Sequence, residues 1–172
     1  MTKQHLIIID GPNGAGKTMT SVLLHENLEN TVLLSFDKIK RFISNFEPNE
    51  RNIFATNRIM LLMTKQYLEE GFSVIAESIF PEEKFVLPYV KIAKSKKVSF
   101  TAYQIEAPFE IRAQRIKERP LAQGAKKKMT KKWIKRNDLR YFENKYTGAK
   151  VITSHDKTTK EIVKIILKDL RR

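Results

Sequence analysis

The chain of 172 residues contains no cysteine, a single tryptophan, and only six glycines and six prolines. Without cysteine, disulfides and thiolate metal sites are excluded. No apolar run approaches the length of a membrane span. The N-terminal run, HLIIIDG, breaks at Asp10 and Gly11 and is too short and wrongly flanked for a signal peptide, so a cytosolic location is expected. Acidic residues are also scarce, 19 Asp+Glu against 33 Lys+Arg, for a net charge of +14. The shortage is local. Residues 1–85 hold 9 Lys+Arg and 11 Asp+Glu, a net of −2, whereas residues 86–172 hold 24 and 8, a net of +16. The second half therefore either meets anionic partners or carries lysine-rich solvated helix faces.

What is present is an alternation of strand and helix patterns. Apolar runs at 6–10, 31–36, 72–77, 99–106 and 150–154 read as strands, three of them near-continuous in Val, Ile and Leu as buried parallel strands are. Helical patterns fall at 16–30, 49–70, 81–97, 108–119, 130–142 and 158–172. Ile53, Met60, Met63 and Tyr67 recur at helix spacing, Gly71 is a C-terminal stop, and Pro88 predicts a kink or break. The pattern predicts one α/β domain over 1–172 with a mainly parallel sheet. A basic excursion, PLAQGAKKKMTKKWIKR at 120–136, is expected outside the core.

Gly11-Pro12-Asn13-Gly14-Ala15-Gly16-Lys17-Thr18 matches G-x-x-x-x-G-K-[ST], directly after a strand and before a helix. Its glycines let successive N–H groups turn toward phosphate oxygens, and the helix start adds its positive end. Lys17 is expected on the β- and γ-phosphates of ATP and the Thr18 hydroxyl on Mg²⁺. A GTPase would need N-K-x-D, and the nearest string, NKYT at 144–147, lacks the acid. No D-x-x-G follows the third strand, which ends with one carboxylate, Glu77, rather than the acidic pair usual in motors and transporters. A compact phosphotransferase remains.

Three further elements bear on that reading. Asp37, past the second strand, is expected across the crevice from the phosphate loop, as a base for an acceptor hydroxyl or as the N-cap of a helix over 38–45. Glu77 would face Mg²⁺, the acceptor, or an ordinary ion-pair partner. Arg112, Arg115 and Arg119 share a helix face and either clamp phosphates or form a solvated basic stripe. Arg41 and Arg58 are candidates for the acceptor side.

Together these elements resemble the P-loop kinase superfamily, in particular the branch with polynucleotide kinases, zeta-toxin-like kinases and chloramphenicol phosphotransferase. The motif Ala107-Pro108-Phe109-Glu110 followed by Arg115 and Arg119 is similar to that branch's lid pattern. The resemblance implies a three-layer α/β/α fold with a five-stranded parallel sheet of order 2-3-1-4-5, a lid over about 112–136, ATP and Mg²⁺ as cofactors, and Asp37 as catalytic base. Polynucleotide kinases place an Arg three residues beyond their Asp; Lys40 stands here, with Arg41 next. The expected activity is transfer of the ATP γ-phosphate to a hydroxyl of a small or nucleotide-like acceptor. Alternatives are a nucleic-acid 5′-hydroxyl kinase and a non-catalytic nucleotide-binding regulator. Segment 112–136, with 11 Lys+Arg and one acid, could bind a nucleic acid, with Trp133 as a stacking ring. Trp133 could instead be the apolar anchor of helix 130–142 with Leu139 and Phe142.

Overall fold

Leu6, Ile7, Ile8 and Ile9 are buried on both faces of one strand, and each face has its own layer of helices. The computed structural model describes residues 3–120 and 129–171. In chain order the elements are β1 (His5–Asp10), α1 (Lys17–Glu26), β2 (Thr31–Ser35), α2 (Phe36–Ile39), α3 (Glu50–Glu69), β3 (Ser73–Glu77), α4 (Leu87–Lys96), β4 (Ser99–Glu106), α5 (Phe109–Glu118), α6 (Lys131–Asn144), β5 (Lys150–Thr153) and α7 (Thr159–Leu170). All pairings are parallel, in the order β2-β3-β1-β4-β5. The three-layer architecture and strand order are those expected.

Leu6 and Ile8 pack with Leu34, Met60, Val74 and Phe80 under α3 and α4. Ile7 and Ile9 pack with Leu24, Tyr103, Ile162 and Ile166 under α1 and α7. Each such side chain contributes about 1.5–3 kcal/mol by leaving water. With both faces covered, β1 has no solvent side, which is why its run does not alternate. The capping box of Thr158 and Glu161 starts α7 and fixes where its apolar stripe meets the sheet.

One local expectation is corrected. The helix expected over 38–45 is instead α2 followed by a 3-10 turn at Lys40–Phe42. The chain leaves it through Asn45 in a left-handed conformation, φ 51°. Of the kink or break expected at Pro88, the structure shows the break. Pro88 lies in the first turn of α4, where its missing N–H costs nothing, and a separate 3-10 turn, Glu83–Phe85, precedes it. Of the lid expected over 112–136, residues 121–128 lie outside the described residues, and the flanks belong to α5 and α6. Among the described residues no helix is long and apolar enough to cross a membrane.

Candidate active site

Gly11–Thr18 runs from the carboxyl end of β1 into α1, whose first turn has no side-chain cap and no acidic residue. Its N–H groups are thus left to an incoming anion. The opposite edge of the loop is held throughout. The Lys17 ammonium donates to Pro12 O at 3.1 Å, Arg112 to Asn13 O at 3.0 Å, Arg115 to Gly14 O at 3.4 Å, and the Ser154 hydroxyl to Ala15 O at 2.6 Å. A peptide plane whose oxygen is drawn outward turns its N–H the other way, so the bonds to Asn13 O and Ala15 O orient the Gly14 and Gly16 N–H groups, while the Ala15 N–H is taken by Pro12 O at 3.3 Å. Gly14 is required here. Its φ is +78°, and an added Cβ would lie 2.7 Å from Arg112 O.

Lys17 is 8% exposed. Burial pushes its pKa down from the usual lysine range, while the charges of Glu77, Asp10 and Asp37 act in the opposite direction and Arg119 adds to the depression. Glu77, 4% exposed at the end of β3, accepts from the Ser35 hydroxyl at 2.6 Å and from Thr18 Oγ1 at 3.4 Å. The Thr18–Glu77 pair offers hard oxygen donors suited to Mg²⁺. No cluster of three or more acidic or histidine residues exists among the described residues, so water and phosphate oxygens would complete the shell.

Asp37 stands in the first turn of α2 and is not its N-cap; Ser35 holds that position. Its carboxylate is 66% exposed and paired with Lys40 at 2.5 Å. The Lys40 position thus supplies a cation to Asp37. Arg41 is exposed on the following 3-10 turn. Arg58 is exposed on α3, and no bond joins it to the phosphate loop among the described residues.

The three arginines of the 112–119 stretch do different things. Arg112 is 1% exposed, and its guanidinium donates to Ala107 O, Asn13 O and both oxygens of Asp138. It is a buried brace whose donors go to backbone carbonyls and the Asp138 carboxylate, rather than part of a solvated stripe. Arg115 donates to Gly14 O and to Ser154 Oγ and O, and so also grips the loop from outside. Arg119, just past the end of α5, is exposed. Helical spacing put Arg112 and Arg115 on one face but could not say that the face meets backbone carbonyls.

Three participants had no motif to mark them. Asp10, the last residue of β1, is 1% exposed and accepts from the N–H of Gly11 at 2.6 Å and of Phe80 at 3.0 Å and from Tyr141 OH at 3.1 Å. Asp138 and Ser154 are the others. Only Asp10 carried a signal, a carboxylate closing a wholly apolar strand. Trp133, Leu139 and Phe142 are exposed, and α6 is anchored by Ile134 and Tyr141 instead, which corrects the reading of Trp133 as an anchor.

A phosphate loop at the carboxyl end of the central strand of a 2-3-1-4-5 parallel sheet defines the P-loop class of α/β proteins. The AAA domain family matches residues 6–143, and the chain belongs to that family. No curated protein matches it at a significant level. Its fold is that of P-loop kinases. It is similar to a protein from Chloroflexus aurantiacus assigned as a kinase, 21% identical over 99% of this chain and 98% of that one, with a TM-score of 0.74. It is also similar to the Mycobacterium tuberculosis APS kinase CysC in complex with AMPPNP and APS, 13% identical over 99% of both chains, TM-score 0.67. A third likeness is to the Pnkp1/Rnl/Hen1 RNA repair complex, 14% identical over 92% of this chain and 51% of that one, TM-score 0.70.

Proposed function

We propose that the protein is an ATP-dependent phosphotransferase that moves the γ-phosphoryl group to an acceptor hydroxyl, with Asp37 as base. The observation that carries this reading is the phosphate loop leading into the uncapped first turn of α1, beside the paired oxygens of Thr18 and Glu77. Lys17 and the inward N–H groups hold the β- and γ-phosphates. Arg119, and Arg115 once a ligand competes for its donors, meet charge that spreads over the transferring group. The acceptor oxygen loses its proton to Asp37 as its bond to the γ-phosphorus forms and the bond from that phosphorus to the bridging oxygen breaks, leaving ADP. Where Mg²⁺ is bound, Thr18 and Glu77 hold it, and it neutralises phosphate charge. On the acceptor side, Asp37, Arg41, Arg58 and Glu77 contribute to binding. Likeness to CysC, solved with a nucleotide analogue, supports ATP as donor.

Asp37→Asn tests the reading. A screen for labelled phosphate transfer from ATP into metabolites and oligonucleotides identifies the acceptor. The variant is then expected to bind ATP as before and to lose about 10²–10⁴-fold in transfer. Transfer at the original rate would remove Asp37 from the mechanism.

A nucleic-acid acceptor is the second reading, and the exposed face of α6 favours it. Lys132, Trp133, Arg136 and Arg140 lie along that face, and Arg140 pairs with Glu82 in the loop after β3. A basic stripe with an exposed indole suits a single strand with stacked bases. The likeness to the Pnkp1 complex agrees with this.

A further inference from the structure

Two side chains of α6, Asp138 and Tyr141, are bonded to the two side chains, Arg112 and Asp10, that hold the first turn of the phosphate loop. Asp138 receives Arg112 in a bidentate pair, at 3.0 and 2.5 Å, and the same guanidinium holds Asn13 O. One turn later Tyr141 donates to Asp10, whose other oxygen holds the Gly11 N–H. Residues 138 and 141 are three apart and so project from the same side of the helix. All four side chains are buried or nearly so, with Asp138 15% exposed. In such surroundings a planar, two-bond arginine–carboxylate contact fixes orientation as well as distance.

The consequence falls on particular atoms. The Asn13 carbonyl belongs to the same peptide plane as the Gly14 N–H, and the Gly11 N–H opens the loop. Release of Arg112 frees the first plane to rotate about the permissive Gly14, and release of Asp10 loosens the start of the curl. We infer that Asp138 and Tyr141 are positioning residues for the donor nucleotide. Through Arg112 and Asp10 they set the direction of the phosphate-facing N–H groups and thereby the affinity for ATP. Neither side chain touches the nucleotide. This inference rests on the nucleotide-binding half of the phosphotransferase reading.

The test is ATP binding by titration calorimetry with Mg²⁺ present, on full-length protein at a temperature where each variant is folded by circular dichroism. Tyr141→Phe keeps the ring and its packing and removes only the hydroxyl. It is expected to raise the Kd about tenfold, the scale of one hydrogen bond to a charged group. Asp138→Asn is expected to do the same or more. Lys145→Met breaks the ion pair of Lys145 with Glu106, just past the end of α6, without touching the loop; its Kd should stay within about twofold of wild type. In an Asp10→Asn background, Tyr141→Phe should add less than about twofold, because its effect runs through Asp10. A merely structural role would lower the unfolding temperature and leave the Kd alone. A Tyr141→Phe Kd within about twofold of wild type, whether or not Asp138→Asn folds, overturns the inference, as do multiplicative effects in the double variant. The readout is binding, so a protein that binds ATP but transfers it to nothing defeats the phosphotransferase reading and leaves this one standing.

Discussion

Asp10 ends a strand in which Leu6, Ile7, Ile8 and Ile9 are all buried, so its carboxylate faces water hardly at all. Burial pushes its pKa up from 3.8 to about 6, against the opposing pull of the Phe80 and Gly11 N–H groups, Lys17 and Tyr141. The folded chain holds that proton more tightly than the unfolded chain. The stability this contributes is complete below pH 3.8 and is lost as pH rises through about 6. Asparagine does not titrate and keeps an oxygen for the Gly11 and Phe80 N–H groups. Urea unfolding of Asp10→Asn and wild type between about pH 4 and pH 7 is therefore expected to show the variant gaining on wild type as pH rises. A difference independent of pH would mean that Asp10 titrates as it does in the unfolded chain.

Where α5 crosses the phosphate loop, backbone meets backbone with no room between. A Cβ on Gly14 would lie 2.7 Å from Arg112 O, whereas one on Gly71 would meet nothing within 4 Å, although both have positive φ, +78° and +88°. Gly71→Ala should cost only the left-handed penalty, about 1–2 kcal/mol. Gly14→Ala should cost that plus the displacement of α5, about 2–5 kcal/mol in denaturant unfolding, and should weaken ATP binding as well. Equal costs at the two positions would show that α5 gives way freely. The same junction marks how far the sequence could be read. Strands, the phosphate loop and the helix stop at Gly71 were legible because each is a local pattern in consecutive residues. The short α2 was not, because its length depends on where the chain must turn at Asn45. The role of Arg112 was not, because helical spacing gives a shared face but not its neighbour, here Asn13 and Asp138. For the same reason Ile134 and Tyr141, rather than Trp133, turned out to anchor α6.

Across the whole molecule, charge and fold divide differently. The sheet is shared by both halves of the sequence, but the excess of basic residues belongs to the second, and part of it lies along the exposed face of α6. If a nucleic acid is the acceptor, binding of a 5′-hydroxyl oligonucleotide should weaken steeply with salt, and Arg136→Ala should flatten that slope by about one unit. Trp133→Ala should lower affinity by about 1–3 kcal/mol at every salt concentration. Absence of any binding at low salt would leave the basic surface as solvation alone. The four bonds that hold the phosphate loop reach it from Lys17, Arg112, Arg115 and Ser154. On a ribosome, therefore, the phosphate loop is synthesised well before it becomes competent. Strand β1 has no neighbour until β3 and β4 have emerged, and the outer edge of its loop is incomplete until residue 154 arrives. A chain that stops short of residue 154 would lack the Ser154 bond to the loop, and if ATP is the donor, its binding would report on, and protect, the folding of β1 through β5 together.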